Sequence, residues 1–258
     1  MTLELWSVIT LLFVALADAA VILVRKVTKE GTLRQYHEVT DPLLAVVGTL
    51  FAILLGFMVA SAMQRYDAAR ANIQAEAGAV GDIFRLARGL PEPAKTKLLN
   101  DCLKYTKIVI DEEWKLMEER KTSNAAWNAY GDIWLDGTQF EPKTQKEANI
   151  HQIILEVLTR LGDGRRTRAA QLTYALPIPL WIVIFVGATA IICFTLFFDI
   201  DNLKFQIAME SIVVIVLSLN IYLLSAFDDP FSGDVCLSSA PFEVNRTMFQ
   251  SIMAHDWH

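Results

Sequence analysis

Four runs of mainly apolar residues constrain this chain more than any other feature: 5–24, 43–63, 176–198 and 206–227. Each has about 20 residues, enough for a helix to cross the hydrocarbon core of a bilayer. In lipid each must be helical, because an unpaired backbone group there costs several kcal/mol. Pro42 precedes the second run, and Pro177 and Pro179 open the third. Proline is tolerated in a first helical turn, where its missing N–H has no partner to lose. The third run is expected to stop at Asp199. The short loop from there to Phe205 makes the last two runs an antiparallel hairpin. The start, MTLELW, lacks the basic stretch of a cleaved leader, so the first run is read as a retained membrane helix.

Composition adds a second part. Of 258 residues 53% are hydrophobic, yet 20% are charged. Residues 64–175 are too polar for lipid and are read as a water-facing helical region between the second and third spans. The second span is expected to run on as helix to Gly89. Ile73, Ala77, Val80, Phe84 and Ala87 continue it with a stripe at helical spacing. Gly89-Leu-Pro-Glu-Pro93 ends that helix and starts another, whose apolar face is Leu98, Cys102, Tyr105, Val109 and Leu116. Residues 121–146 read as loops with short helices. Ile150, Ile153, Ile154, Val157, Leu158 and Leu161 form a further stripe, which Gly162-Asp-Gly164 is expected to interrupt. Residues 228–258 read as a tail. The fold class is an all-α membrane protein with four spans and a large helical insertion.

Lysine and arginine near span ends set orientation. Arg65, Arg70, Arg165, Arg166 and Arg168 lie in the long connection, and only Lys204 in the last loop; the first loop holds Arg25, Lys26, Lys29 and Arg34. The balance places the long connection and both termini inside. A net charge of -6 argues against nucleic acid, which needs a basic surface. Cys102, Cys193 and Cys236 are widely spaced with no CxxC pair, so neither a disulfide framework nor a zinc site is indicated. No nucleophile, metal or phosphate-loop motif points to an enzyme.

Several residues stand out. Gly48, Ala52, Gly56 and Ala60 recur at every fourth position, a ridge that lets another helix approach closely. It serves either packing within one subunit or packing around a shared pore, with Phe51, Leu55 and Phe57 on other faces as constrictions. Arg65 and Arg70 could draw anions into an inner vestibule; the simpler reading is positive-inside anchoring, with Arg70 and Asp67 as a local surface pair. Asp18, an acid inside the first span, either marks a pathway or pairs with Arg25 or Lys26. Asp228, Asp229 and Asp234 could ligate a hard cation such as Ca²⁺, or simply make a turn. Glu112, Glu113, Glu118 and Glu119 read as a solvated helix face.

Taken together, Gly56-Phe57 with Ala60, Arg65-Tyr66-Asp67 with Ala69-Arg70, Glu76-Ala77, Leu90-Pro91, Tyr105, Glu113-Trp114, Arg165-Arg166 with Arg168, and Pro230-Phe231 with Gly233-Asp234 resemble the bacterial bestrophin-like membrane family. That family is distantly similar to the bestrophin chloride channels. The resemblance implies a homo-oligomer, a pentamer by analogy, in the bacterial inner membrane. It also implies both termini in the cytoplasm, small anions as the permeant species and a pore lined by the second span. The Ile-Pro-x-x-Phe neck of true bestrophins is absent from that span, and so is the long acidic run after Asp234 that accompanies Ca²⁺ activation. The rival expectation is a membrane-anchored scaffold whose helical region binds a partner.

Overall fold

Apolar periodicity becomes helix along nearly all of the chain. The computed structural model describes residues 2–28, 37–198, 200 and 202–255, and among these there is no strand. The helices are α1 (Leu3–Val27), α2 (His37–Ala87), α3 (Ala94–Ile108), α4 (Trp114–Glu118), α5 (Asn124–Gln139), α6 (Gln145–Gln171), α7 (Ile178–Leu196), α8 (Leu203–Asp228) and α9 (Ala240–His255). A π-helical turn, Val109–Glu113, joins α3 to α4. Lys29 and Arg34 of the first loop, and Asp199 at the expected end of the third span, lie outside the described residues.

Two units divide the chain. The membrane unit holds residues up to Tyr66, Ala175 to Asp229 and Gly233 to Val235. The helical unit holds Asp67 to Tyr174, Pro230 to Ser232 and Cys236 onward. Four helices are long and apolar enough to span a bilayer: α1, α2, α7 and α8. Only 11 to 28% of each apolar window is buried within the chain, which leaves the rest to lipid or to other chains. Helix α2 has 51 residues and Pro42 lies inside it, five residues past its start, rather than ahead of it.

In the membrane unit, α2 buries Phe51, Leu55, Met58 and Ala62 against Ile184 and Ala188 of α7 and Ile221 and Leu224 of α8. Lipid is as apolar as these side chains, so close packing rather than water exclusion holds the helices together. A β-carbon on Gly187 would stand 2.3 Å from the Phe51 ring, so α7 needs glycine there. Gly187→Ala is therefore expected to cost roughly 1–3 kcal/mol by overpacking. Thermal unfolding in detergent checks this, and an unshifted midpoint would contradict it. Polar groups tie α1 to α8: Trp6 Nε1 donates to the Ser218 carbonyl at 3.0 Å, and the Thr10 and Ser218 hydroxyls meet at 2.6 Å.

The helical unit departs from expectation in several places. Within 121–146, read as loops with short helices, residues 124–139 form one 16-residue helix, α5, capped by the Ser123 hydroxyl accepting from Ala126 N–H at 3.1 Å. Gly162 and Gly164 do not interrupt α6; a β-carbon would meet the Tyr130 hydroxyl at 2.4 Å or Glu76 Cβ at 3.0 Å. They are there for close approach, and Asn72 Nδ2 donates to the Gly164 carbonyl at 2.9 Å. Ile153 leaves the α6 stripe and is exposed. The expected tail contains α9, which buries Phe242, Asn245 and Phe249. Phe249 stacks on Phe84 with centroids 3.9 Å apart, and Asn245 donates to the Ala77 carbonyl at 2.6 Å.

One carboxylate here titrates near neutrality. Asp101 on α3 is partly buried, and burial, then a hydrogen bond and the charge from Asp136, then Asp132, raise it to about 6 against the pull of Lys104. A raised carboxyl binds its proton more tightly when folded. The strain is thus fully present above pH 6 and fades as pH falls toward 3.8. Because Asp101 remains partly open to water, which screens its neighbours' charge, Asp101→Asn is expected to gain only about 1 kcal/mol at neutral pH and nothing near pH 4. Unfolding midpoints across that range check the sign; a pH-independent difference would contradict it.

Candidate functional site

Helix α2 presents two different faces in the membrane unit. The seam Phe51, Leu55, Met58, Ala62 is buried at steps of four, three and four. Phe51 and Leu55 therefore belong to the subunit core and are not free to act as constrictions, a correction to the sequence expectation. The ridge Gly48, Ala52, Gly56, Ala60 lies elsewhere on the helix. Its last three members are exposed, and a β-carbon on Gly48 or Gly56 would meet nothing within 4 Å. Among the described residues, then, nothing packs against the ridge. Phe57 is 72% exposed.

Arg65 is not a free vestibule cation. Its Nη2 stands 3.2 Å from Asp228 Oδ1, which also accepts from Leu176 N–H at 2.9 Å. Arg70 is exposed and forms no ion pair among the described residues. Asp234 serves α1: it accepts from Leu3 N–H, an unpaired donor of the first helical turn, and from the Tyr222 hydroxyl at 2.9 Å. Asp228 and Asp234 are thus committed to protein partners. Among the described residues no three His, Cys, Asp or Glu gather where a metal could be held. The Ca²⁺ expectation for this turn does not fit its donors. Asp18 does not depend on Arg25 or Lys26; it accepts from Ser211 Oγ at 3.2 and 3.4 Å.

The helical unit holds a buried ionic network that sequence reasoning spread over unrelated roles. Glu113, read as solvated, is 1% exposed. Arg165 and Arg168, counted as surface charge near the third span, are 1% and 2% exposed. Arg165 grips Glu113 with both terminal nitrogens, at 2.8 and 2.9 Å. Arg168 spans two acids: Nε and Nη2 reach Glu76 at 2.7 and 2.9 Å, and Nη2 also reaches Glu113 at 2.9 Å. The Tyr105 hydroxyl donates to Glu76 at 2.5 Å and accepts from Arg165 at 3.2 Å. Rings cover the guanidiniums, with Trp127 4.3 Å from Arg165 and Trp114 5.6 Å from Arg168.

Two carboxylates and two guanidiniums sum to zero, which is how such groups tolerate burial. Burial pushes the Glu113 carboxyl up, but the charges and hydrogen bonds of Arg168 and Arg165 outweigh it and hold the group below the usual carboxylate range. Burial and the Glu76 charge push the Tyr105 phenol up, so it stays a hydrogen-bond donor. The π-helical turn sets the register. It places Glu113 beneath Val109 and then Met117, not Leu116, on the buried face, where its sulfur meets Arg168 Nη1 at 2.9 Å.

A signal for this network was present in the sequence. Each member extends an apolar stripe at helical spacing: Ala69, Ile73, Glu76, Val80 on α2; Tyr105, Val109, Glu113; and Leu158, Leu161, Arg165, Arg168 on α6. A charge in phase with a buried stripe has to be paired inside.

Four spanning helices with a helical region inserted between the second and third define an all-α membrane protein of bestrophin type. Residues 11–242 match the Bestrophin-like domain, and the chain belongs to that family. No curated protein matches it in sequence. Crystal structures of a bacterial bestrophin homologue from Klebsiella pneumoniae share the fold. One variant aligns with a TM-score of 0.73 at 15% identity, covering 96% of this chain and 98% of its own. Another structure of that homologue aligns at 0.71 and 14% identity, covering 96% and 98%.

Proposed function

We propose that this chain is the subunit of an oligomeric bestrophin-like ion channel that passes small anions such as chloride along an axis lined by the membrane part of α2. One observation carries the reading: the Gly48, Ala52, Gly56, Ala60 ridge is left unpartnered on a helix whose Phe51 seam is already occupied. Small residues at every fourth position in lipid serve close approach of helices, and among the described residues nothing approaches them. Phe57 is free to form an apolar constriction, and Arg70 is an unpaired cation further along the same helix. By analogy with the family the oligomer is a pentamer in a bacterial inner membrane. The arginines near the second span, Arg65 and Arg70, favour a cytoplasmic helical region and cytoplasmic termini.

Reconstitution tests this directly. Liposomes carrying the purified chain are expected to release chloride faster than empty vesicles. Equal flux over a range of pH and Ca²⁺ would sink the channel reading. An oligomer with a closed, packed axis would favour the scaffold.

A further inference from the structure

We propose that Asp18 of α1 with Gln206, Glu210 and Ser211 of α8 forms a binding site for a hard divalent cation within the membrane unit. Glu210 is 3% exposed and Gln206 4%, and each keeps one side-chain oxygen, Oε1, buried with no hydrogen-bond partner. The two residues are four apart, so they stand one above the other on the same face of α8. Gln206 cannot relieve its oxygen by turning its amide over. Nε2 donates to the Phe198 carbonyl at 2.5 Å, and an oxygen there would face another acceptor. Thr195 and the Asp18 carboxylate both lie close enough to Glu210 to act on its charge. Ser211 follows Glu210 directly and holds Asp18 by the hydroxyl contact already described.

Among the described residues no lysine or arginine pairs with Asp18 or Glu210. Two carboxylates thus share one low-dielectric region with orphan acceptors beside them and, among the described residues, no cation paired to either. A buried acceptor left without a donor is destabilising, and an uncompensated charge more so. A cation supplies what is missing. The donors are all oxygen, which selects a hard ion. Two carboxylates are neutralised by a divalent ion, whereas a monovalent one leaves a net charge. The near-complete burial of Gln206 and Glu210 excludes a ligand as bulky as a substituted ammonium. Asp18 is only half-buried and offers the way in. This site is separate from the acids after α8 and does not depend on the channel reading.

Equilibrium dialysis of chelator-stripped full-length protein in nanodiscs against radiolabelled Ca²⁺, with Mg²⁺ as competitor, tests it. One ion per chain is expected, with an unfolding midpoint raised by about 3–6 °C at saturating ion. Glu210→Gln and Asp18→Asn each remove one charge at constant shape and are expected to weaken binding at least ~10-fold. Gln206→Leu, which keeps both charges, provides the reading should the acid variants fail to fold; it is expected to weaken binding as well. Wild-type protein that binds no divalent ion overturns the proposal, as do variants that bind as tightly as wild type. A midpoint that responds to acidification and to no divalent ion also overturns it, since a proton would then hold the orphan oxygens.

Discussion

Arg168→Met is expected to destabilise the helical unit by about 3–5 kcal/mol, enough to unfold it in many conditions. The variant keeps the volume of the side chain and leaves Glu76 as a buried carboxylate with only Tyr105 as partner, because both Glu76 oxygens rely on Arg168. Removing the acid too should restore much of the loss. In Glu76→Leu with Arg168→Met, Arg165 and Glu113 remain as a closed two-nitrogen, two-oxygen pair. The double variant should therefore be more stable than either single one, a non-additivity of more than ~1 kcal/mol. Denaturation in detergent, followed by tryptophan fluorescence, reads this through Trp114 and Trp127. Additive losses would show that the network is not coupled. Acid should act in the same direction. Glu113 titrates below the usual carboxylate range when folded, so its contribution is complete above the ordinary carboxyl value of 4.5 and is lost as pH falls through the lower one.

Gly56→Leu is expected to abolish assembly and ion flux while leaving the single chain folded. Within the chain a β-carbon at Gly56 meets nothing within 4 Å, so the larger side chain clashes with no part of its own subunit. If α2 meets a neighbouring copy along the ridge, four added carbons hold the backbones apart and weaken association by at least ~10-fold, or about 1.4 kcal/mol. Native mass measurement of the detergent-solubilised protein should show a shift to smaller species with helicity unchanged. An intact oligomer that still conducts would move the contact to another face of α2. Gly187→Ala makes the contrast, since its effect should appear in the fold of one chain.

Much of this architecture could be read in the residues. The four spans follow from length and hydropathy alone, because lipid admits no other backbone arrangement. The α2 stripe from Ile73 to Ala87 and the α6 stripe from Ile154 to Leu161 are buried where periodicity put them. What could not be read came from context. Gly162 and Gly164 carry two meanings, helix interruption and close approach, and only the presence of Tyr130 and Glu76 against them decides for the second. The buried network was hidden because charge is ordinarily a surface mark, so Glu113 was grouped with its solvated neighbour Glu112 and Arg168 with Arg166. Phe51 and Leu55 show a further limit. Inside a bilayer every face of a helix is apolar, and hydropathy does not tell the side turned to its own subunit from the side left open.

The five residues wound as a wider coil between Ile108 and Trp114 have a consequence for how this chain tolerates change in length. Such a coil stores one residue more than a regular helix would use. Excision of one residue there would let the coil relax to a regular helix and leave the following segment facing as it does, whereas the same deletion within α3 would turn that segment by about 100° about its axis. After the deletion in α3, Met117 would swing away from Arg168 and Trp114 from Phe242, so a change silent in helix content would act as a change in chemistry.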